Sequence, residues 1–254
     1  MISAIISYCT NEINFLEAQL KQASKFSDDI VIPICKNLFN GEEENKKLLD
    51  KTFDICDDYR NAKIILYDWQ GVKDHNSYYN NLTRKIGTEN AKNSWLFFLD
   101  VDEIVSDQFN TWFSSRKNLD HAWWLSCYWY FREPIYQAIC DQGCGLLVPK
   151  KYCKWNLYSK LERQQLFQNL YDQNKLTASG LKETYDKYQN KMIHHYSWVR
   201  SYENMLKKVM NWSHKSDRNW VDLVSEEFSR PFNGTDFVYG YNYNIVENYF
   251  NIKV

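Results

Sequence analysis

Residues 95–105 read Trp95-Leu96-Phe97-Phe98-Leu99-Asp100-Val101-Asp102-Glu103-Ile104-Val105. The first five are apolar or aromatic without a break. A run that short, rich in aromatics and with no polar alternation, reads as a central strand of a sheet covered on both faces. It then meets three carboxylates in four residues. Carboxylates at the end of a buried strand are costly unless positive charge sits on them. Their oxygens are hard ligands suited to Mg²⁺ or Mn²⁺, ions commonly shared with the phosphates of a nucleotide. Ligands of open α/β sheets bind just beyond the carboxyl ends of the strands. The stretch therefore predicts a strand tip that holds a metal and a phosphorylated ligand. A solvated turn, or the cap of a following helix, uses the same residue types.

Upstream, the chain alternates. Ile2 to Ser7 is a buried strand, followed by a helix with Ile13, Leu16, Leu20 and Ala23 on one face and Asn11 placed to cap it. Ile30 to Ile34 is a second strand, Glu42 to Tyr59 a helix, Ile64 to Tyr67 a third strand and Asn76 to Lys92 a helix. Strand-helix alternation predicts a parallel sheet with right-handed crossovers.

The helix before the quoted stretch carries Arg84, Gly87 and Ala91, and the strand ends in Leu99 and Asp100-Val101-Asp102. In this order and at this spacing the chain resembles the nucleotide-sugar glycosyltransferases of the GT-A fold, especially the large family 2 type. The likeness covers residues 1 to about 105. Lys85 stands where that family commonly has Asn, and Cys35-Lys36 where it often has an Asp after the second strand.

The resemblance implies an α/β, Rossmann-like GT-A fold with a mostly parallel central sheet flanked by helices. The catalytic domain would span residues 1–196 and a helical C-terminal extension residues 197–254. The implied activity moves a sugar from a nucleotide-diphosphate sugar to a hydroxyl of a glycan or other acceptor. Thr10 and Glu12, in the first strand-to-helix loop, fall where the family touches the nucleotide. Arg84, Asp100, Val101 and Asp102 complete the donor site. Asp100 and Asp102 are the implied ligands of Mn²⁺, or Mg²⁺, with a late histidine completing the set. His195 is the better match for it and His194 the alternative.

Inverting members supply a base from a Glu-Asp pair, which this chain lacks. Asp141 is the candidate in its place, with Glu162 and Glu133 behind it. A phosphatase of the haloacid dehalogenase type also uses Asp-x-Asp, but opens its fold with it and follows it with Thr or Val, where Ile104 stands here. A non-catalytic carbohydrate-binding protein of the same fold is the other rival.

In the later half, residues 122–131 and 144–148 read as strands. Residues 162–171, 181–188, 201–212 and 220–228 read as helices, with Ser201 placed to cap its helix. A polar connection is expected after Glu103, and an edge hairpin or covering loop over 231–243.

Composition narrows the partners. The net charge of −1 gives no broad nucleic-acid footprint. Of the 43 aromatic residues, 10 Trp, 19 Tyr and 14 Phe, some must be core, and aromatic faces also stack on sugar rings, which fits a carbohydrate enzyme. No run is long enough for a transmembrane helix. The seven cysteines include no Cys-x-x-Cys pair, which argues against zinc and for a reducing, cytoplasmic setting.

Overall fold

A computed structural model describes residues 1–38, 41–68, 76–115, 122–140, 142–172, 190–211 and 215–254. Asp141 and the helix expected over residues 181–188 lie outside the described residues.

The strand at the centre of the argument, β4 (Trp95–Asp100), lies beside β1 (Ile2–Ser7), and the two run parallel from Ile2 opposite Trp95 to Ser7 opposite Asp100. Beyond β1 come β2 (Ser27–Cys35) and β3 (Ala62–Tyr67), both parallel. Each parallel neighbour is reached through a helix: α1 (Ile13–Ala23), α2 (Lys46–Asp57) and α3 (Asn76–Asn90). The run is buried on both faces, as its composition requires. Phe97 and Leu99 enter one apolar cluster, Leu96 and Phe98 another. Burying each Phe contributes about 1.5–3 kcal/mol.

On the other side of β4 the sheet turns antiparallel, through β8 (Gln142–Pro149), β6 (Trp123–Phe131), β7 (Glu133–Ala138) and the short edge strand β10 (Tyr243–Ile245). The sheet is thus mixed. Hairpin-linked strands need no crossover, and β6 passes into β7 through the single residue Arg132, at φ 58°. Two further strands sit off this path. β9 (Ile193–Trp198) runs parallel to β6 and antiparallel to β5 (Glu103–Val105). So the expected polar connection after Glu103 is a strand, followed by the helix α4 (Gln108–Ser114).

Helix boundaries differ from expectation where a side chain is claimed elsewhere. α2 starts at Lys46, capped by Asn45 Oδ1 accepting from Leu48 N at 3.1 Å, because the backbone before it pairs with the exit of β2, Glu44 N donating to Lys36 O at 2.9 Å and Glu43 bridging Asn37. Asn11 caps nothing; Thr10–Glu12 form a 3-10 turn that leads into α1 without a side-chain cap. α5 (Arg163–Asp172), α6 (Tyr202–Asn211) and α7 (Trp220–Phe228) match their expected spans to within a residue. Ser201 does cap α6, its Oγ accepting from Asn204 N at 3.4 Å.

Gly87 lets α3 lie on β1: a Cβ there would sit 2.3 Å from Ile5 Cγ2. That close approach is what brings Arg84, one turn earlier, to the end of β4.

Candidate active site at the strand tips

β1 and β4 end together, and the chain leaving each tip builds a cleft of about 380 Å³. Its floor holds Ser7, Asp100, Asp102 and His195. α3 contributes Tyr79, Asn80, Thr83 and Arg84. α6 contributes Asn204, Lys207, Lys208 and Asn211, the i, i+3, i+4, i+7 stripe of one helix face. The 3-10 turn and the tip of β2 add Glu12, Cys35, Asn37 and, from the segment before α2, Glu44.

The carboxylates do have positive charge on them, and it comes from the chain itself. Asp100 Oδ1 accepts from Arg84 Nη2 at 3.2 Å and Oδ2 from Arg163 Nη2 at 3.3 Å. Arg163 also grips the fully buried Glu103 with both Nη atoms, at 2.5 and 2.8 Å. Arg84 runs on to Glu162 at 3.0 Å, a residue held at φ 48°. Arg200 Nη2 donates to Asp102 Oδ2 at 3.1 Å and to Glu12 Oε1, and Lys208 Nζ lies 3.9 Å from the same Asp102 oxygen. Burial alone would raise Asp100, but Arg163 and Arg84 outweigh it and hold the acid at about 2. Asp102 is lowered likewise, burial being overcome by Lys208, His195 and Arg200. Burial and the nearby Asp102 raise Glu12 in spite of Arg200. Burial and Arg200 bring Lys208 down to about 8.

β9 delivers the histidines. Glu103 pairs with His195 across β5, and Tyr196 N donates to Asp102 O at 2.8 Å. His195 therefore stands beside Asp102, some ninety residues earlier, with Nε2 3.7 Å from Asp102 Oδ1 and 3.9 Å from Glu103 Oε1. Adjacent strand residues face opposite sides. His194 accordingly points into an aromatic nest of Tyr128, Tyr130, Tyr249 and Phe250, its Nδ1 2.7 Å from Tyr130 Oη. Gln137 Nε2 donates to that hydroxyl at 2.7 Å, which leaves Tyr130 O–H to donate to a neutral imidazole.

Asp102 and His195 bring two donor atoms toward each other. Arg200 and Lys208 both lie on Asp102 Oδ2, so Oδ1 is the oxygen that faces His195 Nε2. Asp100 is less available, because each of its oxygens already accepts from a guanidinium.

The remaining expected residues are placed differently. Thr10 is buried and absent from the cleft lining; its hydroxyl donates to Glu44. Val101 turns its side chain into the core while its N–H donates to Ser7 O at 3.0 Å. Glu12 lines the cleft but is engaged by Arg200. Glu44, Arg163, Arg200 and the polar stripe of α6 were not read from the sequence, and Glu103 was read only as one of the tip carboxylates. Only the stripe leaves a local signal, since its spacing mirrors the apolar Met205 and Val209 on the far face.

No family model matches the chain, and no curated protein matches it by sequence. Solved structures with a distant likeness include a mycobacterial protein (10% identity, TM-score 0.44, covering 97% of this chain and 83% of that one). A nucleotidyl transferase from Methanothermobacter matches at 10% identity and TM-score 0.41, over 90% of this chain and 98% of its own. The glycosyltransferase GlyE of Streptococcus pneumoniae TIGR4, in its apo form, matches at 13% identity and TM-score 0.37, over 89% of this chain and 63% of its own. At these values the likenesses carry no argument about activity. Among the described residues, no helix is long and apolar enough to cross a membrane.

Proposed function

We propose that the chain is a metal-dependent glycosyltransferase of the GT-A type, moving a sugar from a nucleotide-diphosphate sugar to an acceptor hydroxyl. The observation that carries this reading is the charge and donor set at the strand tips. Six carboxylates meet there, Glu12, Glu44, Asp100, Asp102, Glu103 and Glu162, against five cations, Arg84, Arg163, Arg200, Lys207 and Lys208. The acidic and basic groups nearly balance, and a divalent ion held between Asp102 Oδ1 and His195 Nε2 would turn the site positive toward a diphosphate.

Such an ion supplies the charge that stabilises a departing diphosphate. The protein's own groups do the rest. Arg84 and Arg163 fix Asp100 ionised at the tip of β4. Arg200 orients Asp102 by holding its other oxygen. Lys207, Asn204 and Asn211 reach the donor from α6, and Lys207 Nζ has no carboxylate partner among the described residues. Tyr67 and Tyr79 line the same cleft. The acceptor hydroxyl attacks the anomeric carbon and gives up its proton; in an inverting reaction Asp141 is assigned to receive it. The two guanidinium groups on Asp100 leave it poorly disposed as the nucleophile that a haloacid dehalogenase-type reaction would require.

The test is a panel of nucleotide-diphosphate sugars assayed for donor hydrolysis with Mn²⁺, Mg²⁺ or EDTA. Hydrolysis of one donor class that depends on Mn²⁺ or Mg²⁺ and disappears in Asp102→Asn is the expected result. Turnover insensitive to EDTA, or none across the panel, overturns the reading.

A further inference from the structure

Behind the tip carboxylates lies a second donor set of different chemistry. Cys127 on β6, Cys144 on β8 and His195 on β9 offer two sulfurs and a ring nitrogen, all within 4.8 Å of one another. Neither cysteine is in a disulfide, and both are buried, at 0% and 3% exposure. Around them the core is apolar, with Phe97, Leu99, Leu125 and Ile193. Gly145 lets β8 come this close: a Cβ there would meet Ile193 Cδ1 at 2.5 Å and Phe97 at 2.9 Å. His195 Nδ1 is buried with no hydrogen-bond partner. An orphaned imidazole nitrogen is costly in such a place unless a ligand takes it.

We infer that Cys127, Cys144 and His195 form a binding site for a soft divalent ion of the zinc class. Two thiolates and a neutral imidazole bring exactly the charge that a dication cancels, so the assembly is neutral and cheap to bury. Thiolates select zinc over Mn²⁺ or Mg²⁺, which belong on the oxygen side of His195. Binding forms two metal–sulfur bonds and one metal–nitrogen bond and releases the two thiol protons to solvent. No electron transfer is involved. The ion would staple β6, β8 and β9, and β9 is the strand that positions the cleft's histidine. The site stands independently of the transferase reading. Only its competition with a hard ion for His195 rests on that reading.

The experiment uses the full chain, purified under reductant and stripped of metal, titrated with Co²⁺ as a spectroscopic probe and then with Zn²⁺. The expected result is one equivalent of Co²⁺ giving a thiolate-to-cobalt charge-transfer band, abolished by stoichiometric Zn²⁺ but not by Mn²⁺. Cys127→Ser and Cys144→Ser should each lose the band, while Asp102→Asn keeps it. A second readout needs only the wild-type chain: Zn²⁺ should slow alkylation of Cys127 and Cys144, mapped by peptide, at least tenfold relative to Mn²⁺. Absence of the band in the wild type, equal alkylation in both metals, or recovery of Cys127 and Cys144 as a disulfide under reductant overturns the site. None of these measurements uses a sugar donor, so their failure is separable from failure of the transferase reading.

Discussion

Arg163 grips Glu103 with both terminal nitrogens, at 2.5 and 2.8 Å, and spends the remaining reach of one of them on Asp100 at 3.3 Å. One residue from α5 thereby ties the end of β4 to the start of β5. A fork that donates in parallel to one carboxylate is geometry only arginine offers. Glu103 also turns back to accept from Asp100 N at 2.9 Å, so the turn between the two strands is closed by the same charges.

Arg163→Met should therefore destabilise the fold rather than merely the site. It strands the ionised Glu103, which has no exposure, without its partner. Breaking a buried pair in this way costs about 3–5 kcal/mol. Urea unfolding should show a lower midpoint at neutral pH with an unchanged slope; a loss within about 0.5 kcal/mol would mean that Glu103 is compensated by another group.

Asp102→Asn tests the hard ion: with the amide oxygen kept on Arg200, the atom facing His195 becomes an NH₂ nitrogen, which donates and cannot ligate a metal. Removing a partner of a metal's ligands already lowers affinity about 10–100-fold, so loss of a ligand should cost more than that. Calorimetry of a nucleoside diphosphate with and without Mn²⁺ gives the measurement. Wild-type affinity that does not respond to Mn²⁺ would remove the ion from the mechanism.

Lys207→Ala separates binding from folding. The side chain is exposed at the mouth of the cleft, on the face of α6 opposite buried Met205 and Val209. Nucleoside diphosphate affinity should fall by on the order of 1 kcal/mol, with a weaker salt dependence. Thermal stability should stay within about 0.5 kcal/mol of wild type. Unchanged affinity would place the diphosphate away from α6.

His194 predicts a pH dependence of stability. Burial pushes its imidazole down to about 3 from an ordinary 6.5. Between those values the unfolded chain binds the proton and the folded chain does not, so stability falls as pH is lowered through this window. The slope contributed is at most about 1.4 kcal/mol per pH unit. Asp100, held at about 2, adds its own loss only below the ordinary carboxylate range near 4. Unfolding midpoints at pH 7, 6 and 5 should drop steadily in the wild type and drop less in His194→Gln. Parallel profiles would show that His194 is not the titrating group.

The central strand, its burial on both faces and its charged tip were legible in residues 95–105, because apolar runs and carboxylate clusters are local facts of the chain. The strand-helix alternation to Asn90 was legible for the same reason: periodicity records which face of an element is buried. His194 and His195 were readable as a strand pair facing opposite ways, since strand alternation needs no knowledge of neighbours. What neutralises the carboxylates was not legible. The sequence called for a divalent metal at the tip of β4 and brought Arg84 to the site for the diphosphate, whereas the tertiary structure puts Arg84 itself, with Arg163, Arg200 and Lys208 from up to about 100 residues away, on the carboxylates. Likewise Cys127 and Cys144 have no metal spacing along the chain and become a cluster only because β6, β8 and β9 lie side by side. Charge pairing and ligand convergence depend on distance in space, and a pattern along one chain encodes burial without encoding who meets whom.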